Sequence, residues 1–209
     1  TKQGQIAFKF PEPERSGQLV ASVKNLCKSF GEKVVLKDVS FDIQRLDRIA
    51  IVGVNGAGKS TLVKIMAGEM QPDSGNVQIG QNVTISYFAQ HQTSQLRSDY
   101  TVMDEAASTA DFEQKKHIRT LLGSFMFTGD DALKKVAVLS GGEKNRLALA
   151  KMLLKSFNFL ILDEPTNHLD MDSKKVLRDA VASYKGTVLI VSHDRDFIDP
   201  LVTKVIEIS

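Results

Sequence analysis

One octapeptide constrains this chain more than any other feature. Gly53-Val54-Asn55-Gly56-Ala57-Gly58-Lys59-Ser60 has the spacing G-x-x-x-x-G-K-[ST]. It follows a short apolar strand pattern, Arg48 to Gly53, and opens a helical pattern, Ser60 to Ala67, that Gly68 stops. Strand, glycine-rich bend and helix in that order give the motif its physical meaning. The glycines let the backbone turn so that successive N–H groups face inward and cradle phosphate oxygens. The helix start adds a partial positive charge. Lys59 supplies a full charge to the β- and γ-phosphates of a nucleotide, and the Ser60 hydroxyl is a hard oxygen ligand suited to Mg²⁺. Gly53, Asn55, Gly56, Ala57, Gly58, Lys59, Ser60 and Thr61 are therefore expected to bind the phosphates of a nucleotide, through a motif shared by many ATPases and GTPases.

A second apolar run, Phe159-Leu160-Ile161-Leu162, ends in Asp163-Glu164. Its uninterrupted hydrophobicity fits a parallel strand buried on both faces. Ligands of such sheets bind beyond the carboxyl ends of the strands, where both carboxylates fall. Asp163 is placed to hold Mg²⁺ through water, and Glu164 to reach the water that attacks the γ-phosphate. Alone, an Asp-Glu pair after a strand is usually only the start of a loop. Beside a phosphate loop it gains a chemical role, because phosphoryl transfer needs positioning, charge neutralisation and an oriented nucleophile.

The rest of the chain supplies the frame. From Leu19 to Ile51 the apolar spacing is close to two, with a turn at Gly31, which predicts antiparallel strands. Strand spacing returns from Val77 to Tyr87, after the turn Pro72-Asp73-Ser74-Gly75. The middle, about Thr101 to Leu139, is helical, with one helix expected over Asp111–Leu122. Strands at Thr187–Ser192 and Lys204–Ile208 alternate with helices at Glu143–Lys155 and Ser173–Tyr184. Such alternation implies a parallel sheet covered by helices. With 42% hydrophobic and 25% charged residues, the chain can bury an ordinary core. A net charge of +2 does not itself point to nucleic acid. Cys27 is the single cysteine, so no intrachain disulfide forms, which suits a reducing cytosol. No apolar run reaches the roughly 20 residues of a membrane span. Residues 1–18, with Pro11 and Pro13 alternating with Glu12 and Glu14, read as an extended linker. The first residue is Thr1 rather than Met, so the sequence reads as part of a longer chain.

Between the two sites lies Leu139-Ser140-Gly141-Gly142-Glu143, which resembles the signature of the ATP-binding cassette superfamily. Other elements match that family in order. Phe30 falls where an aromatic stacks on adenine, Gln90 at the Q-loop that ligands Mg²⁺, His168-Leu169-Asp170 at the D-loop, and His193 at the switch histidine. The resemblance covers Leu19 to Ser209. It implies an α/β cassette of the P-loop NTPase type: a mostly parallel central sheet, an N-terminal antiparallel β-subdomain, and a helical subdomain at about 101–155. It also implies Mg-dependent ATP hydrolysis in a site completed by Ser140, Gly141, Gly142 and Glu143 of a second cassette. Leu162–Asp170, Ser192–Phe197 and Ser140–Lys144 look like the ABC-F branch, soluble twin-cassette proteins that act on ribosomes. Phe10–Gly17 resembles the end of the linker between the two cassettes. By that match, 19–209 is the second cassette, working in the cytoplasm with the ribosome and its RNA as partner and without membrane insertion.

Each matched residue also has a plainer role open to it. Ser140 and Glu143 form S-x-x-E, a capping box able to start a helix with no ligand. Phe30 can simply pack on its hairpin, and His193 or Gln90 can be ordinary surface residues. The Lys115-Lys116-His117-Arg119 cluster reads as a solvated helix face. Two other functions share the motifs: the motor of a membrane transporter, and a module that holds ATP without turnover. The intact Glu164 and His193 argue against the second.

Overall fold

The computed structural model describes residues 10–209, apart from the side chains of Gln90 and His91. Residues 1–9 of the expected linker lie outside the described residues. Phe10 to Gly17 carries neither helix nor strand. The chain divides into two compact units. One holds Pro13–Tyr87, Phe157–Glu164 and Lys185–Ser209; the other holds Phe88–Ser156, Pro165–Tyr184 and the described part of Thr1–Glu12.

The first unit is built on strands. β1 (Leu19–Phe30) and β2 (Lys33–Gln44) form an antiparallel hairpin, and β1 also pairs antiparallel with β4 (Ser74–Ile79). The turn between them needs Gly31, whose φ of 61° lies in the left-handed region. A second sheet has the order β5-β6-β7-β3-β8, from Ile85–Phe88, Phe159–Asp163, Thr187–Val191, Arg48–Val52 and Lys204–Glu207. β6, β7, β3 and β8 run parallel. Every residue of β6 and β7 is buried, as their unbroken apolar runs predict. Helix α1 (Lys59–Met66) buries Leu62, Val63, Ile65 and Met66 in a core that includes Val20, Val23, Leu36, Ile51, Phe159 and Leu189.

The other unit is helical: α2 (Val102–Ala107), α3 (Phe112–Lys115), α4 (Ile118–Ser124), α5 (Gly141–Leu153) and α6 (Met171–Ser183). Glu105 of α2 is completely buried yet doubly paired, with Lys151 Nζ at 2.6 Å and Arg97 Nε at 3.0 Å. A buried carboxylate requires such partners, and this one ties α2 to α5. The single helix expected over Asp111–Leu122 is two helices. Near His117 the ladder tightens: its N–H donates to the Gln114 carbonyl at 2.9 Å, and its own φ and ψ are −99° and −2°. Gln114 and Ile118 are buried while Phe112 is 85% exposed, so no continuous apolar stripe holds one helix together. Among the described residues, no helix is long and apolar enough to cross a membrane.

Asn158, buried ahead of β6, shows how the sheet end is sealed. Its Nδ2 donates to the carbonyls of Glu14 (3.0 Å) and Asn82 (2.7 Å), and its Oδ1 accepts from Thr84 N–H (2.8 Å). Asn158→Ala leaves these backbone groups unpaired at a buried position. The expected loss is about 2–3 kcal/mol, at roughly 1 kcal/mol per hydrogen bond, read as a lower midpoint in urea unfolding. Asn158→Asp should recover only the bond from Thr84.

Candidate functional site

The parallel register brings three segments to one edge of the sheet. Asp163 aligns with Val191, and Val191 with Ile51, so β6, β7 and β3 end together. Beyond β3 begins the glycine-rich loop, beyond β6 Glu164, and beyond β7 Ser192-His193. This is the carboxyl edge, where α/β sheets hold ligands.

Two glycines of the loop are fixed by neighbours. A Cβ on Gly53 would collide with the Ile208 carbonyl oxygen. At Gly58 it would come within 2.8 Å of Val35, and φ there is 95°. The β1–β2 hairpin and the residue following β8 thus press the loop into shape from either side. Lys59 is itself buried, and its ammonium donates to the carbonyls of Gly53 (2.6 Å) and Val54 (3.1 Å). The cation is therefore held across the loop mouth. Val54, Asn55 and Gly56 stay exposed, whereas Ala57 is buried in the core beneath. Thr61 is half-buried in the first turn of α1.

Ser60 Oγ donates to Asp163 Oδ1 at 3.3 Å. Asp163 is buried at the end of β6. These two oxygens converge without a third carboxylate or histidine; among the described residues no group of three such side chains forms. A ligand pair of this kind fits Mg²⁺, which takes one or two protein oxygens and fills its octahedron with water and substrate phosphate. The side chain of Gln90, the third expected ligand, lies outside the described residues; its backbone opens a 3₁₀ turn, Gln90–Gln95.

Glu164 has a φ of 48°, left-handed and uncommon for a residue with a Cβ. Its N–H donates to the Val191 carbonyl at 2.7 Å, which holds the bend. The carboxylate is gripped at both oxygens: His193 Nε2 stands 3.2 Å from Oε1, and His193 N–H donates to Oε2 at 3.4 Å. Burial pushes the Glu164 carboxyl above its ordinary range. His193 and Lys59 pull it back and Asp163 raises it further, and the upward shift prevails. A carboxylate held by a histidine, with a raised proton affinity, has the chemistry of a base.

Phe30, at the tip of the β1–β2 hairpin, is 49% exposed. Lys28 Nζ lies 5.4 Å from its centroid. Ser140, Gly141, Gly142 and Glu143 belong to the helical unit. Ser140 caps α5 and forms a full capping box, each partner's N–H donating to the other's side chain at 3.2 Å. In the same unit Asn145 Nδ2 donates to the Asn167 carbonyl at 3.1 Å, and Asp170 caps α6 by accepting from Ser173 N–H at 2.7 Å. Sequence reasoning missed the backbone grip of His193 on Glu164; the left-handed φ that allows it leaves no signal in an Asp-Glu-Pro string.

Comparison with known proteins agrees with this geometry. The family described as ABC transporter matches residues 36–167. The putative ATP-binding protein YdiF of Bacillus subtilis is 49% identical over 203 residues, covering 97% of this chain and 32% of that protein. ATP-binding protein Uup of Escherichia coli is 42% identical over 205 residues, covering 96% and 32%. ABC transporter F family member 5 of Arabidopsis thaliana is 44% identical over 205 residues, covering 98% and 30%. The chain thus spans about a third of the length of these relatives. A solved ATP-binding subunit of an ABC transporter superposes with a TM-score of 0.74 over 90% of this chain and 85% of that one, at 22% identity, which speaks for the fold. The chain belongs to the ABC transporter family of ATP-binding cassettes, ATPases that work in pairs, and it matches its F-family relatives as a single cassette.

Proposed function

We propose that this cassette hydrolyses Mg·ATP at the carboxyl edge of its parallel sheet. The observation that carries the proposal is the convergence there of the phosphate loop, the Ser60–Asp163 pair and the Glu164–His193 clamp. Gly53 to Thr61 hold the phosphates, Lys59 neutralises the β- and γ-phosphates, and Phe30 stacks on adenine. Ser60, Asp163 and Gln90 hold Mg²⁺, which when bound neutralises charge on the transferring phosphoryl group. Glu164 orients the attacking water and takes its proton as water oxygen bonds to the γ-phosphorus and the bond to the β–γ bridging oxygen breaks. His193 keeps the carboxylate turned toward that water. Ser140, Gly141, Gly142 and Glu143 serve the ATP of an opposing cassette.

At the level of the whole protein, we propose a twin-cassette ABC-F factor acting on the ribosome in the cytoplasm, with residues 19–209 as its second cassette and 1–18 as the end of the linker. The F-family relatives and their threefold greater length support this reading. Closure of two cassettes around ATP would press the linker against ribosomal RNA.

Lys59→Ala removes the charge facing the phosphates. ATP binding should weaken by a few kcal/mol at most, at about 1.5–3 kcal/mol per charge-assisted bond. Unchanged affinity by calorimetry in a folded variant would contradict the site.

Glu164→Gln keeps the shape and removes the base, so ATP should bind while turnover drops at least about a hundredfold. The same substitution probes the carboxyl's burial. Because the folded pKa is raised, ionised Glu164 costs stability at neutral pH, and the cost vanishes below the ordinary value of 4.5. Glu164→Gln should therefore melt above the wild type at pH 7, with the gap closing as the pH falls to 4.5. A gap that persists there assigns the gain to something other than ionisation.

Full-length protein carrying Glu164→Gln should co-sediment with ribosomes in ATP and much less in ADP, with strong salt dependence. Recovery of that protein with membranes instead would favour the transporter motor.

A further inference from the structure

The hairpin that presents Phe30 also presents a lysine with no part in the site described above. Phe30 and Lys33 are directly opposed partners where β1 and β2 close. Opposed residues share one face of a hairpin, with Cβ atoms about 5 Å apart. Lys33 Nζ lies 3.6 Å from the position a Cβ would take on Gly56, so the ammonium stands against the exposed turn of the phosphate loop. Gly56 has a φ of 81° and no side chain, which opens that approach. Among the described residues no carboxylate lies within ion-pair distance of Lys33. Lys28, also on the hairpin and close to Phe30, differs: it is tied to Asp73 at 3.3 Å and leans over the Phe30 ring.

Resting on the proposed nucleotide site, we infer that Lys33 is a second phosphate-binding cation, serving the phosphate attached to the ribose. Lys33 is paired with Phe30 on one side and approaches the phosphate loop at Gly56 on the other, so it links the proposed base platform to the loop that would hold the terminal phosphates. An uncommitted ammonium beside a passing α-phosphate oxygen gains a charge-assisted contact, moderated by its exposure. Because ATP and ADP share that phosphate, Lys33 strengthens both alike. Lys59, which faces the β- and γ-phosphates, favours the triphosphate. The two lysines therefore divide the work: one holds any adenine nucleotide, the other distinguishes its phosphate number.

The test compares Lys33→Met, Lys33→Arg and Lys59→Ala in the intact chain, with ATP and ADP affinities measured by calorimetry in Mg²⁺. Lys33→Met should weaken both nucleotides by about three- to tenfold, leaving their ratio within twofold of the wild type, and should flatten the salt dependence of binding. Lys33→Arg should restore most of the affinity. Loss confined to ATP would place Lys33 on the terminal phosphate and overturn the assignment. Unchanged affinity for both nucleotides, with Lys59→Ala still impaired, would make Lys33 a solvated hairpin charge. If Lys59→Ala also binds normally, the nucleotide site itself is wrong and this inference falls with it.

Discussion

The site depends on how the parallel sheet ends. β3 sits between β7 and β8, with β6 beyond β7, and the aligned residues Asp163, Val191 and Ile51 make three strands stop at one level. Each strand then hands its next residues to the same edge. That shared edge brings together Lys59, the adjacent pair Asp163-Glu164 and His193, three segments that are far apart in sequence. With β6 and β7 buried on both faces, a one-residue slip would exchange the side chains packed on each face, and the close fit of the two layers opposes that exchange. Apolar packing deep in the sheet thus sets the precision of polar chemistry at its rim.

The loop shows the same dependence at closer range. Gly53 lies under the Ile208 carbonyl and Gly58 against Val35, so the residue following β8 and the β1–β2 hairpin act as a mould for the backbone. Lys59 bonds to the Gly53 and Val54 carbonyls and completes the shape with its own charge. Glu164 is the counterpart in cost. Its left-handed φ and its half-buried carboxylate both work against stability, and both persist because Val191 and His193 hold them. A carboxylate in bulk water would be a weaker base and would swing freely. The strain and the raised proton affinity suit the base role proposed for Glu164.

Much of this was legible in the sequence, for reasons that are local. The octapeptide, the two unbroken apolar runs, the period-two spacing before Ile51 and the turn at Gly31 are all signals carried by neighbours in the chain. The family strings added Phe30, Gln90 and His193, which residue chemistry alone would have left as surface groups. What the sequence hid is tertiary. The break near His117 comes from which residues find a core, Gln114 and Ile118 but not Phe112. Asn158 reads as a loop asparagine until three distant backbone groups are seen around it. Lys33 looks like one charge on a hairpin, and only the closeness of Gly56 gives it an address.

The signature segment raises a question that capping physics answers. A helix start has four N–H groups without helical partners, and a capping box draws on such groups for stability rather than for a ligand. The box at Ser140 and Glu143 takes the N–H groups of those two residues alone. The amides of Gly141 and Gly142 fall between them, at an exposed to half-buried helix start whose side-chain-free residues let another surface come close. Glu143 would normally repel an anion, yet here its carboxylate is turned back onto Ser140 N–H. The box therefore fixes the helix end and leaves the two glycine amides outside it. Stabilising α5 and serving the phosphates of a second cassette, as proposed above, are thus compatible in one arrangement.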